Sequence, residues 1–119
     1  MKLGHLLNEL ESFYEYKTIK LKSDYVLLPK YHSYRGCYNQ LAIDYTFVPG
    51  EEEITIKQLK DTLYEALEDG VMEGYKGGEY SIDTDTKVVI AGYGESSGLY
   101  IAEFIEFEDH VYLATADMD

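Results

Sequence analysis

A chain of 119 residues, 45% hydrophobic and 28% charged, fits one soluble domain over residues 1–119 with a core that needs no staples. Ten Lys and Arg side chains against 23 Asp and Glu give a net charge of −13, which repels nucleic-acid phosphates and acidic membranes, so no direct nucleic-acid binding and no membrane binding are expected. The amino terminus is broken by Asn8, Glu9 and Glu11 where a secretory signal needs an apolar run, and the single Cys37 forms no internal disulfide, so a reducing cytoplasm is expected.

Leu3, Leu6, Leu7, Leu10, Phe13 and Tyr14 recur at the spacing of one helical face and predict a first amphipathic helix over 2–16. Residues 17–22 read as a basic connector, and 25–28 as a short strand ended by Pro29. From Leu41 the alternation of Leu41, Ile43, Tyr45 and Phe47 with Ala42, Asp44 and Thr46 is that of a half-buried strand, ended by Pro49 and Gly50. Thr55 with Gln58 three residues later reads as a capping box opening a second helix over 55–69, which Gly70 stops. The segments 79–83, 87–93, 99–107 and 111–115, rich in Val, Ile, Tyr and Phe between short turns, predict a C-terminal strand meander within 79–115, and 116–119 read as a frayed tail. The expected fold is α+β: a mainly antiparallel sheet of five to six strands with the two amphipathic helices on one face.

Several chemistries are disfavoured. Gly94-Glu95-Ser96-Ser97-Gly98 matches the G-x-S-x-G nucleophile elbow, but that elbow needs a following helix where 99–107 reads as a strand, and a hairpin turn accounts for the loop better. Asp109 and His110, as neighbours on a strand, would point to opposite faces and make a poor relay. His5, His32, His110 and Cys37 lack the paired spacing of a zinc site, and D-T-D-T at 83–86, which with Glu79 or Glu95 offers oxygens to a hard cation, is also an ordinary turn. No metal, no cofactor and no catalytic set is therefore expected, and an enzyme is the less favoured reading.

Three glycine-containing loops share a different chemistry. Arg35 is the only arginine of the chain, set in Ser33-Tyr34-Arg35-Gly36-Cys37-Tyr38 among some of its 13 tyrosines. Gly74-Tyr75-Lys76-Gly77-Gly78-Glu79-Tyr80 adds an ammonium, and Gly92 to Gly98 adds Glu95 and the hydroxyls of Ser96 and Ser97. A guanidinium forks onto phosphate, lysine supplies a point charge, glycine amides approach anion oxygens, and tyrosine rings stack on bases. The expected ligand-binding set is Ser33, Tyr34, Arg35, Gly36, Tyr38, Tyr75, Lys76, Gly77, Gly78, Tyr80, Glu95, Ser96 and Ser97. The alternative is turn chemistry, with tyrosines packed on strands and Arg35 paired to one of many carboxylates.

The motifs S-Y-R-G-x-Y (Ser33 to Tyr38), G-Y-K-G-G-E-Y (Gly74 to Tyr80) and Y-G-E-S-S-G (Tyr93 to Gly98) resemble those of a group of small, uncharacterised bacteriophage-encoded proteins. The resemblance implies a phage setting in the host-cell cytoplasm. There, by analogy of chemistry and size, the expected function is anti-defence: a homo-oligomeric sponge that sequesters a small phosphorylated signalling nucleotide without turnover. A second expectation is an acidic protein-interaction inhibitor, a DNA mimic or blocker of a host defence protein, carried by Asp61, Glu65, Glu68 and Asp69. A third is a small nucleotide-cleaving hydrolase with Glu95 or Asp83 as general base.

Overall fold

The computed structural model of the protein describes residues 1–21, 26–34, 37–46, 52–74, 77–91 and 99–117, with backbone only at 34, 37–39, 99 and 117. Within them run helices α1 (Leu3–Glu11) and α2 (Ile56–Asp69). The strands are β1 (Thr18–Leu21), β2 (Val26–Tyr34), β3 (Cys37–Thr46), β4 (Val71–Glu73), β5 (Glu79–Ser81), β6 (Val88–Ile90), β7 (Leu99–Glu106) and β8 (His110–Asp117).

The main sheet has six strands in the order β1-β8-β7-β6-β3-β2, and β4 and β5 pair separately. The class is α+β, but the sheet is mixed, a correction to the mainly antiparallel expectation: β1–β8 and β3–β6 are parallel, while β2–β3, β6–β7 and β7–β8 are antiparallel. A parallel pair needs a long crossover. The chain between β3 and β6 supplies one, and α2 lies within it.

One core joins helices and sheet. Leu3, Leu6, Leu7 and Leu10 of α1 and Ile56, Leu59, Leu63 and Ala66 of α2 share a buried cluster with alternate strand residues, Ile19 and Leu21, Leu41 and Ile43, Val88 and Ile90, Val111 and Leu113. Each large side chain removed from water there contributes about 1.5–3 kcal/mol. The intervening Ala42, Val89 and Ala91 are buried too, in a second, smaller cluster, so these strands carry near-continuous apolar runs.

Helix α2 starts as its sequence predicts. The Thr55 hydroxyl accepts from the Gln58 amide at 3.2 Å and the Gln58 side chain accepts from the Thr55 amide at 2.9 Å. Gly70 ends it in the left-handed region, φ 73°. Helix α1 is shorter than predicted, because the Ser12 hydroxyl turns back to the Glu9 carbonyl at 2.7 Å and closes the helix there. Phe13 still reaches the core and meets Phe104 at 5.7 Å between ring centres, but from a turn rather than a helical face.

Two further corrections concern strands. The presumed basic connector is β1, whose Ile19 and Leu21 are buried while Thr18 and Lys20 alternate with them. Its free edge is partly taken: the Ile19 amide donates to the Ile54 carbonyl and the Ile56 amide to the Lys17 carbonyl, each at 2.9 Å. Pro29 does not end β2. It lies between Leu27 and Tyr31, where the register shifts, on the outermost strand of the sheet, where a missing amide donor is tolerated.

A candidate ligand-binding cleft between β2 and β4

Gly70 delivers the chain from α2 straight into β4, and the Ile82 amide closes the returning arm on the Gly70 carbonyl at 2.8 Å. The described residues of the G-Y-K-G-G-E-Y motif, Gly74 and Gly77 to Tyr80, belong to a hairpin. Met72 pairs with Tyr80 and Glu73 with Glu79, the Gly74 amide donates to the Gly78 carbonyl at 2.8 Å, and Gly77 and Gly78 take φ of 93° and 81°. A side chain at Gly74 would collide with the Tyr80 ring. Met72 is buried in the main core and anchors the hairpin beside β2.

That anchoring forms a cleft of about 520 Å³ lined by residues 31–33 of β2 and 71–74 of β4 and its turn. On one wall the Tyr31 hydroxyl donates to the Asp69 carboxylate at 3.0 Å. Burial, that hydrogen bond, and the charges of Asp69 and Glu65 push the phenol up to about 12, so it stays a neutral donor held by α2. Beside it, His32 Nδ1 lies 2.5 Å from the Ser33 carbonyl oxygen. A carbonyl only accepts, so Nδ1 carries the proton and Nε2 faces Asp44 Oδ1 at 3.7 Å, each of the two side chains being 17% exposed. Ser33 is 3% exposed.

The expected site residues divide as follows. Ser33 lies in the cleft with Gly74. Gly78 borders a neighbouring recess of about 390 Å³ on β4, and Tyr80 another of about 400 Å³ shared with Gln40, Asp83 and Lys87. Gly77 is in the hairpin turn. Tyr34 and Tyr38 belong to β2 and β3, and the pairing of Tyr34 with Cys37 leaves two residues, Arg35 and Gly36, linking the strands. Arg35, Gly36, Tyr75, Lys76, Glu95, Ser96 and Ser97, and the side chains of Tyr34 and Tyr38, lie outside the described residues. Tyr31, His32, Met72 and Glu73 were not among the expected residues. His32 pairs with Ala42, so Asp44, two residues along β3, is its diagonal neighbour on the same face, a register that no local pattern announces.

Other candidates take plainer roles. The D-T-D-T segment is a turn: the Asp85 amide donates to the Asp83 side chain at 2.8 Å, and the Asp83 amide to the Thr86 hydroxyl at 2.9 Å. Among the described residues no group of three or more His, Cys, Asp or Glu could hold a metal ion. The G-x-S-x-G segment at 94–98 lies outside the described residues, and strand β7, not a helix, follows it. Asp109 and His110 do pair, with Asp109 Oδ1 2.5 Å from His110 Nδ1. Asp109 sits in the turn before β8 rather than on a strand, so the alternation that would separate the two side chains does not apply.

Among the described residues no helix is long and apolar enough to cross a membrane. Comparison with protein-family models, curated proteins and solved structures gives no match to the chain.

Proposed function

We propose that the protein captures a small phosphorylated, base-containing molecule at the cleft between β2 and β4 and holds it without turnover. The observation that carries this reading is convergence. The strand ends that lead into the two cation-bearing glycine loops, Ser33 before Arg35 and Gly74 before Lys76, line one cleft, although they are far apart in sequence. Arg35 and Lys76 neutralise phosphate, Tyr34, Tyr38 and Tyr75 stack on bases, and the Tyr31 hydroxyl marks the α2 side of the wall.

Capture rather than cleavage is favoured by His32. Its Nδ1 donates to a backbone carbonyl and its Nε2 is buried facing the Asp44 carboxylate, so the ring's lone pair is shut off from a ligand's proton. In the phage setting that the loop motifs imply, sequestration in the host cytoplasm would silence a nucleotide immune signal, and copies of the chain assembled around the ligand would bury it further.

The test is calorimetry with cyclic dinucleotides, cyclic trinucleotides and ADP-ribose derivatives, followed by heat release and chromatography of the recovered ligand. Binding with intact recovery, lost in Arg35→Ala while the unfolding midpoint stays in place, is the expected result. No binding across the panel would overturn the reading, and a cleaved ligand would make the protein an enzyme.

A further inference from the structure

Away from the cleft, the hairpin of β7 and β8 shows water a face that an ordinary solvated sheet would make polar. Glu103, Ile105 and Phe107 alternate along one arm, opposite to Phe104, which packs against the core; on the other, Tyr112 lies between the buried Val111 and Leu113. Ile105 pairs with Tyr112, and the Phe107 amide closes the turn on the His110 carbonyl at 2.8 Å. The Phe107 and His110 rings stack at 4.7 Å and 14°, and Tyr112 meets both edge-on at 5.3 and 5.0 Å. Rings and aliphatic side chain thus form one continuous patch, yet Ile105 is 42% and Phe107 43% exposed.

We propose that this patch is a docking surface for a cationic protein segment that also carries apolar side chains. Its charge selects that occupant. Glu103 lies on the same face, Glu108 and Asp109 occupy the turn, and the two lysines beside the patch are both countered: Lys20, paired across β1–β8 with Tyr112, by Glu53 at 3.4 Å, and Lys17, whose ammonium donates to the Phe107 carbonyl at 2.7 Å, by Glu106 at 2.9 Å. A chain of net charge −13 would bring carboxylates onto carboxylates if a second copy covered the patch, and phosphate-bearing partners are repelled. Guanidinium and ammonium groups instead find aromatic faces and a carboxylate rim together, while apolar neighbours of those cations cover Ile105 and Phe107. This surface is independent of the ligand-binding cleft.

The test uses the full chain and three probes: a short peptide alternating arginine with leucine, the same peptide with glutamate for arginine, and oligo-arginine. Binding is followed by calorimetry and by amide chemical shifts. The arginine–leucine peptide should bind with shifts centred on 103–112, weaken as salt rises, and lose about tenfold or more in affinity when Ile105→Thr and Phe107→Ser are combined. Glu103→Lys, which leaves the apolar patch whole, should also weaken it, whereas Glu65→Gln with Glu68→Gln on α2 should not. Equal binding of oligo-arginine, unaffected by the patch variants, would reduce the effect to net charge and overturn the proposal. So would no binding at all, or a dimer in sedimentation that Phe107→Ser disperses, since a second copy would then be the occupant.

Discussion

At its first turn α2 is held by its own neighbours, the Thr55 hydroxyl and the Gln58 carboxamide. Helix α1 has no side-chain cap at Lys2, and its Leu3 and Gly4 amides donate instead to the Thr86 and Thr84 carbonyls at 2.8 and 2.9 Å, in a turn from the distant C-terminal half. The ends differ likewise: α2 stops on a left-handed glycine, α1 on a serine that folds back. One helix is specified locally and the other by the rest of the protein. The two are tied where the Tyr64 hydroxyl donates to Glu11 at 2.9 Å and Lys60 lies 3.6 Å from the same carboxylate.

The largest effect expected from breaking this arrangement comes from the buried stripes that both helices share. Leu6→Ala in α1 and Leu63→Ala in α2, each at a side chain with no exposure, should each cost about 2–5 kcal/mol in urea unfolding followed by circular dichroism. If the contrast is right, Leu6→Ala also lowers hydrogen-exchange protection throughout α1, which has no N-terminal side-chain cap to fall back on.

Smaller effects separate the helix ends. Thr55→Ala should cost about 1 kcal/mol, and Lys2→Ala, the corresponding position of α1, should change the unfolding midpoint little, since no side-chain cap is lost there. Gly70→Ala forces a β-carbon into the left-handed region and should cost about 1 kcal/mol.

A further effect is expected only in alkaline solution. Tyr31 is raised from its ordinary value of 10.0 to about 12, first by burial and then by Asp69. The folded chain therefore keeps this proton after the unfolded chain has released it, so the contribution to stability is full below pH 10 and fades as the pH climbs toward 12. Tyr31→Phe should flatten that part of the stability-against-pH curve. Tyr64→Phe, which removes a more exposed phenol raised mainly by its bond to Glu11, should flatten it less.

The same contrast explains which parts of the fold were legible in the sequence. Helix α2 was visible to its caps because every signal lies within a few residues. The extent of α1 was overread because Phe13 continues the apolar spacing after Ser12 has ended the helix. Strand β1 was hidden by lysines, although Ile19 and Leu21 alternate correctly, because its partner β8 lies at the far end of the chain. The parallel pairings were invisible for the same reason: turn residues announce hairpins, while nothing local announces a crossover. At the candidate site, the residue types of the glycine loops were legible, but the meeting of Ser33 and Gly74 at one cleft was not. It depends on Met72 anchoring a hairpin beside β2 and on the β2–β3 register that sets His32 opposite Ala42 and diagonal to Asp44. The aromatic patch of β7 and β8 was read only as strand, since alternation alone does not say which face is covered.

Pro29 has a consequence for how copies of this protein can meet. An outer strand with a full row of free amides is a template on which a strand of another molecule can form. On β2 that row is interrupted by the proline and by the slipped register beside it, and on β1 the segment around Ile54 already occupies part of the opposite border. The sheet is thus guarded against end-to-end extension into ribbons or fibrils. Any copies that met would therefore join through side-chain surfaces, leaving the strand ladder of each molecule intact.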